Sequence, residues 1–252
     1  MSAPAGVATA PRDGVVVRRT RVSEVRRVRF DGRDAYAKVY RYAWPLIPIL
    51  GWLKGNPPAL DARREAANLG RAAALGVPVP RVLAVEAPGR LFRRESVVVL
   101  EAAPGEPLDR ALGGLEARAR RDVAARLGAI VRRLHEAAVF HRDLYLCHIL
   151  VDGAAGERLT LLDLARAEPR RLFRRRFRVK DLAALELSAR EAGAGRAERV
   201  AFLKAYLGEG RGSSPSASPS ASARASARAA RRALLRAVVE KAGRMAAHGR
   251  KG

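Results

Sequence analysis

The chain has 252 residues, a formal net charge of +24 and a pI near 11.6. That length suffices for one large domain or for two lobes around a shared cleft, and the charge calls for an anionic partner: nucleic acid, an acidic membrane surface or a phosphorylated substrate. No apolar run reaches membrane-spanning length, the opening MSAPAGVATAPRDG has no basic start followed by an apolar core, and Cys147 as the sole cysteine excludes an internal disulfide and a cysteine-based zinc site, so a cytosolic setting is expected.

Residues 1–13 read as a disordered leader. From Gly14 to Tyr40 apolar and polar residues alternate: Val15 to Val17, then Val22, Val25, Val28 and Phe30, then Tyr36, Val39 and Tyr40, with the hairpin signal Asp31-Gly32 between the last two runs. Three antiparallel strands are expected. No Gly-x-Gly-x-x-Gly occurs here. Lys38 stands in mid-strand in a chain where lysine is scarce beside arginine; it is either a compact charge for phosphate oxygens or a solvent-facing strand residue. Tyr42 to Leu53 is apolar with two prolines, which forbid a long regular helix, and reads as a buried cap or an interfacial membrane contact.

A helix is expected from Asp61 to Leu75, ending at Gly76, with Glu65 on it either paired with Lys38 or exposed. Val82–Glu86 and Ser96–Glu101 read as two more strands. The sequence from Glu101 to Pro107 (EAAPGEP) then has the composition of a hinge, whose backbone between Glu101 and Ala103 suits an adenine edge. Leu115–Ala138 is a long amphipathic helix carrying Val123, Leu127, Ile130, Val131 and Leu134; His135 near its end reads as packing or as a helix-end cation.

The stretch from Phe140 to Ala167, FHRDLYLCHILVDGAAGERLTLLDLARA, is the centre of the chain. His141-Arg142-Asp143 is followed by His148, a short apolar run, a turn opened by Asp152-Gly153, and a second apolar run ending at Asp163. Two carboxylates flanking a hairpin divide a phosphoryl transfer between them: one engages the attacking hydroxyl, the other a magnesium ion on the nucleotide phosphates. A lone triplet in an arginine-rich chain is a weak signal, and Asp143 as a turn residue and Asp163 as a strand-end cap is the bland reading.

Seven arginines follow within thirteen residues, at 166, 170, 171, 174, 175, 176 and 178. A helix is expected to open at Lys180-Asp181-Leu182, with Asp181 either its N-cap or a brace for the catalytic-loop backbone. A further helix is expected over Arg196–Leu207. Residues 208–223 read as a Ser/Pro-rich flexible linker, and 224–252 as a basic amphipathic helix with Leu234, Leu235, Val238, Val239, Ala242 and Met245 on one face, docked on its own domain or lying on an anionic membrane.

In this order, a strand Lys, a helix Glu, a hinge, a long helix, His-Arg-Asp, a post-hairpin Asp and Lys-Asp-Leu resemble the protein-kinase-like fold over about residues 14–210. HRDLYLCHILV, LLDLARA, VKDLAAL and EAANLGRAAALGVPVP resemble more narrowly the bacterial lipopolysaccharide core kinases of the Kdo/heptose type (WaaP and InaA types), with His148 where protein kinases carry Asn. The resemblance implies an α+β bilobal fold, with a small antiparallel-sheet N-lobe and hinge over 14–103 and a mostly helical C-lobe over 104–207. It implies an ATP- and Mg2+-dependent phosphotransferase acting on a sugar hydroxyl of a lipopolysaccharide core or related glycolipid at the inner face of the cytoplasmic membrane. Asp143, with His141 and Arg142, would be catalytic; Asp163 and His148 would hold metal; Lys38, Glu65, Glu101 and Ala103 would serve ATP. Asp181 would support the loop, and Arg166, Arg170, Arg171, Arg174, Arg175, Arg176 and Arg178 would meet an anionic acceptor.

Three departures stand out: no glycines in the nucleotide loop, so that Arg18–Glu24 would cover the phosphates; Asp-Leu-Ala in place of Asp-Phe-Gly; and an imidazole at a hard-metal position. The competing readings are a protein Ser/Thr/Tyr kinase, a pseudokinase, and a non-catalytic basic module. No specific nucleic acid is expected, because the charge is not interleaved with aromatics.

Overall fold

The computed structural model describes residues 13–20, 23–41, 62–86, 95–169, 172–209 and 221–249. The expected leader up to residue 12, the apolar stretch Tyr42–Leu53, Asp61, Arg170, Arg171 and residues 210–220 of the expected linker lie outside the described residues. The chain forms two compact units, one of Met1–Ala103 with Leu162–Arg166, the other of Pro104–Leu161 with Ala167–Gly252.

The first unit is built on a five-stranded antiparallel sheet. Its strands are β1 (Val15–Arg19), β2 (Ser23–Phe30), β3 (Arg33–Arg41), β4 (Val82–Glu86) and β5 (Glu95–Glu101), in the spatial order β1-β2-β3-β5-β4. Asp31 and Gly32 close the β2–β3 hairpin in left-handed conformations, as the Asp-Gly signal requires. Alternation along β3 splits its side chains between two faces. Ala35, Ala37 and Val39 join Val28, Val97 and Val99 in one buried cluster. Lys38 and Tyr40 take the opposite parity, where Tyr40 packs with Val98, Ala165 and Ala62 of helix α1 (Ala62–Ala74). The buried side chains of α1 are Ala62, Glu65, Asn68, Leu69 and Ala72, a helical stripe that carries two polar groups into the interior. A buried carboxylate persists only when paired, so that stripe already marks a site.

The second unit is mostly helical. Strand β6 (Glu106–Pro107) leads into α2 (Leu108–Ala111) and then α3 (Ala117–Glu136), which buries Val123, Leu127, Ile130, Val131, Leu134 and His135. Strand β7 (Val139–Phe140) pairs with β10 (Glu168–Pro169). The hairpin of β8 (Ile149–Asp152) and β9 (Arg158–Leu161) runs in the register Ile149↔Leu161 to Asp152↔Arg158. Helix α4 (Arg174–Glu191) starts earlier than expected. Asp181 is therefore not an N-cap: it lies in the helix interior, fully buried, because Arg174–Lys180 continues the helix rather than forming a basic loop. Helix α5 (Arg196–Leu207) crosses α3 where Gly128 has no side chain; a Cβ there would meet the Phe202 carbonyl oxygen at 2.3 Å. Helix α6 (Ala221–Gly249) packs along α4 and buries Val238 and Ala242. Leu234 and Leu235 of α6, with Leu127, Leu185 and Phe202, line an apolar cavity of about 330 Å³.

Candidate active site

Within the first unit one ammonium joins three chain segments. Lys38 Nζ on β3 donates to Oε1 of Glu65 on α1 at 3.1 Å and to Oδ1 of Asp163 at 2.6 Å. The Tyr40 hydroxyl also donates to Glu65, through Oε2. Burial is the largest influence on Lys38 and acts to lower its pKa, but the charges of Glu65 and Asp163 outweigh it and the ammonium is held above its ordinary range. Glu65 is pushed up, first by burial and then by the charge of Asp163, against the pull of Lys38 and Tyr40. Asp163 is the most accessible of the three, with about a third of its side chain open (32%). It sits at φ 56°, a left-handed conformation that Asp tolerates better than most residues. Asn68 on α1 secures the segment by donating to the Leu164 carbonyl at 2.8 Å. Sequence reasoning singled out Lys38, Glu65 and Asp163 but not Tyr40 or Asn68; the signal for Asn68 was an amide on the apolar stripe of α1.

Of the expected nucleotide cover, Arg18–Glu24, Arg18 and Arg19 end β1 and Ser23 and Glu24 begin β2, while residues 21 and 22 lie outside the described residues. Thr20 Oγ1 accepts from the Ser23 N–H at 3.0 Å. Glu24 is enclosed by the guanidiniums of Arg41, Arg26 and Arg19. At the expected adenine edge, the Glu101 N–H donates to the Arg81 carbonyl at 2.9 Å and the Ala102 N–H to the Asp34 carbonyl at 3.0 Å. The Glu101 carboxylate pairs with Arg33 and Arg81. Among the described residues the Ala103 N–H has no hydrogen bond.

In the second unit the His141-Arg142-Asp143 stretch is held by Asp181. Its Oδ2 accepts from the His141 N–H and its Oδ1 from the Arg142 N–H, both at 2.8 Å. Arg142 is at φ 70°, a strained conformation for arginine, and these two bonds help hold it there. Its guanidinium pairs with Glu168 at 3.1 Å and lies 5.8 Å from the Phe177 ring. Leu144 and Leu146 are buried on either side of Tyr145, and the Leu146 N–H donates to Ser188 Oγ at 3.1 Å. Asp143 stays partly open to solvent. Its carbonyl accepts from His148 Nδ1 at 2.8 Å; a carbonyl only accepts, so Nδ1 carries the proton and Nε2 is the basic atom of a neutral ring. Burial, followed by the charge of Asp143, raises the Tyr145 phenol.

His135 packs, as one of the two expectations had it, against the rings of Phe140 and Tyr206, and it also carries a hydrogen-bonded link. It is buried, with Nε2 3.3 Å from Asp181 Oδ2 and Nδ1 2.9 Å from the Tyr206 hydroxyl. The carboxylate accepts from Nε2–H, so a neutral ring accepts at Nδ1 from Tyr206. Burial pushes the Tyr206 phenol up to about 12. Tyr206, Ser188 and Glu168 were missed by the sequence reading, because each acts through a neighbour far away in the chain.

Of the expected acceptor-binding arginines, Arg166 is exposed in the first unit, while Arg174, Arg175, Arg176 and Arg178 lie on the first turns of α4. Arg174 donates to the Glu136 carbonyl at 3.1 Å, capping the end of α3. Among the described residues no three His, Cys, Asp or Glu side chains form a metal cage. A magnesium ion fits the donors present all the same, since it takes one or two carboxylates and completes its shell with phosphate oxygens and water.

Residues 52–206 match the model of the lipopolysaccharide kinase (Kdo/WaaP) family. The chain is 32% identical to the lipopolysaccharide core heptose(I) kinase WaaP of Pseudomonas aeruginosa, over 77% of this chain and 76% of that protein. It is 28% identical to the enzyme of the same name from Escherichia coli K12, over 78% of each. A solved structure of WaaP in complex with acyl carrier protein superposes with a TM-score of 0.68 at 28% identity, covering 92% of this chain and 88% of that one. The Lys38–Glu65–Asp163 triad, the braced His-Arg-Asp loop and these matches converge: the chain belongs to the lipopolysaccharide kinase (Kdo/WaaP) family, has a protein-kinase-like fold and is a phosphotransferase with a sugar hydroxyl as acceptor.

Proposed function

We propose that this chain transfers the γ-phosphoryl group of ATP to a hydroxyl of an inner-core heptose of lipopolysaccharide. The observation that carries this reading is the Lys38 ammonium held between Glu65 and Asp163. It presents a fixed positive charge for nucleotide phosphates beside a carboxylate suited to magnesium. The acceptor oxygen attacks the γ-phosphorus, the bond to the β–γ bridging oxygen breaks, ADP leaves, and the hydroxyl proton passes to the Asp143 carboxylate. Asp181 fixes the backbone that carries Asp143, so that little reorganisation is needed during the reaction. Magnesium, when bound by Asp163 with His148 Nε2 assisting, neutralises charge on the phosphates. Ala103 N–H is assigned to the adenine edge, and Arg166 and Arg178 to anionic groups of the acceptor.

The reading places the protein at the inner face of the cytoplasmic membrane, as a peripheral enzyme; among the described residues no helix is long and apolar enough to cross a bilayer. An acyl carrier protein is a second proposed partner. The WaaP of the solved structure is in complex with one, and the apolar cavity between α3, α4, α5 and α6 has room for part of an acyl chain.

The test is phosphate transfer from labelled ATP to a heptose-containing lipopolysaccharide core, wild type beside Asp143→Asn and Asp163→Ala. Transfer that both variants lose supports the assignment. Phosphorylation of general protein substrates, or of the serine-rich stretch of the chain itself, with none on the core, would move it to a protein kinase.

A further inference from the structure

Leu172 and Phe173, just before α4, leave 73% and 76% of their surfaces open to water. Phe173 holds φ 56° and ψ 26°, a left-handed conformation suited to glycine and costly for a bulky residue, and among the described residues no neighbour covers the ring in return. The Phe173 backbone is nevertheless tied to the first turn of α4. The Phe173 carbonyl accepts from the Arg176 N–H at 3.0 Å, and one turn on, Phe177 packs its ring 5.8 Å from that of Phe140, beside the His-Arg-Asp triplet. Arg174 is tied to the end of α3. Arg175 and Arg176 are exposed, and among the described residues neither guanidinium forms a hydrogen bond or an ion pair.

We infer that Leu172-Phe173 with Arg175 and Arg176 is an interfacial anchor for an anionic lipid bilayer. Two apolar side chains enter the boundary between headgroups and acyl chains, while the two guanidiniums engage lipid phosphates. A bare two-residue apolar tip is too small for the core of a stable protein interface, which needs roughly 800 Å² from each partner. Nucleic acid would find guanidiniums here but no stacking platform of successive aromatics. The inference rests on the reading that the acceptor is a glycolipid carried in a membrane, and it deepens that reading: the anchor sits on the element that holds the catalytic loop, so lipid binding presents the loop to a headgroup sugar.

The experiment is flotation of the full chain with vesicles of phosphatidylethanolamine and phosphatidylglycerol, and in parallel with neutral phosphatidylcholine vesicles, without ATP or lipopolysaccharide. Wild type is expected to float with the anionic vesicles. Leu172→Ser/Phe173→Ser is expected to bind them on the order of tenfold more weakly, and Arg175→Gln/Arg176→Gln about fivefold more weakly per arginine at low salt. Both sites are exposed, so thermal unfolding should be unchanged. Phe173→Trp supplies a second readout: the fluorescence it adds should be quenched by lipids brominated on the acyl chains.

Leu172→Ser/Phe173→Ser should keep wild-type turnover on a water-soluble deacylated core and lose it on vesicle-borne lipopolysaccharide. Unchanged flotation of that variant, or added fluorescence in Phe173→Trp that brominated lipids leave unquenched, overturns the anchor. So does loss of binding to acyl carrier protein with vesicle binding intact, which would make this a protein interface. Because flotation is measured without the reaction, a failure to phosphorylate any core strikes the kinase reading and leaves the anchor standing.

Discussion

Lys38 Nζ lies 2.6 Å from Asp163 Oδ1, although 125 residues of chain separate them. The contact fixes the segment after β9 to the sheet and to α1, and it gives the buried Glu65 its positive partner.

Lys38→Met should therefore damage stability as well as activity. Removing one member of a buried charge pair costs about 3–5 kcal/mol, because Glu65 is left buried beside the charge of Asp163. Phosphate transfer should fall roughly 10²–10³-fold with the loss of the phosphate-facing charge. Adding Glu65→Gln to Lys38→Met should restore much of the melting temperature and none of the activity. Recovery of both together would mean that Lys38 acts only through the fold.

Asp181 and Tyr206 should separate by kinetics. Asp181→Ala removes the acceptor of two loop N–H groups and of His135, so kcat should drop about 10²-fold or more with KM for ATP little changed. Tyr206→Phe leaves the buried His135 Nδ1 without its donor, at a cost of about 1–3 kcal/mol in stability. Its effect on kcat should be far smaller, because Asp181 still holds the loop. Equal kcat losses in the two variants would show that Tyr206 sets the loop position as strongly as Asp181 does.

Glu24 predicts an acid limb. The hydrogen bond from Arg41 first, then those from Arg26 and Arg19, overcome burial and hold its carboxyl down at about 2 from an ordinary 4.5. A depressed folded pKa contributes stability that is full above 4.5 and is lost as pH falls towards 2. The carboxylate is covered by guanidiniums that are themselves open to water, Arg19 at 63% and Arg41 at 42%, so screening reduces the effect. Chemical denaturation across that window should show a shallower pH dependence for Glu24→Gln than for wild type, and high salt should narrow the difference.

Gly128→Ala tests the α3–α5 crossing. The new Cβ would meet the Phe202 carbonyl oxygen at 2.3 Å and the Tyr206 backbone nitrogen at 3.1 Å, both of them main-chain atoms that yield only if α5 shifts. About 1–3 kcal/mol of destabilisation is expected from such overpacking, read as a lower denaturation midpoint. A neutral result would show that α5 moves freely on α3.

The linear text determined a good deal by itself. Strand alternation, the Asp31-Gly32 turn and the α1 stripe are local patterns set by backbone sterics and side-chain period, and the five strands of the first unit are where those patterns placed them. The order Lys38, Glu65, His141-Arg142-Asp143, Asp163 was likewise legible, through its resemblance to the order in which the protein-kinase-like fold carries those side-chain types. What tertiary structure alone decided were roles that depend on packing between distant segments. Asp181 looked like a helix start, yet it lies mid-helix, because arginines with good helix propensity extend α4 back to Arg174. His135 looked like packing or helix-end chemistry; it is packed, and it also links Tyr206 to Asp181, which no local pattern shows. The exposure of Leu172 and Phe173 was invisible for the same reason: an apolar pair in sequence is core or surface only once the neighbours that do or do not cover it are in place.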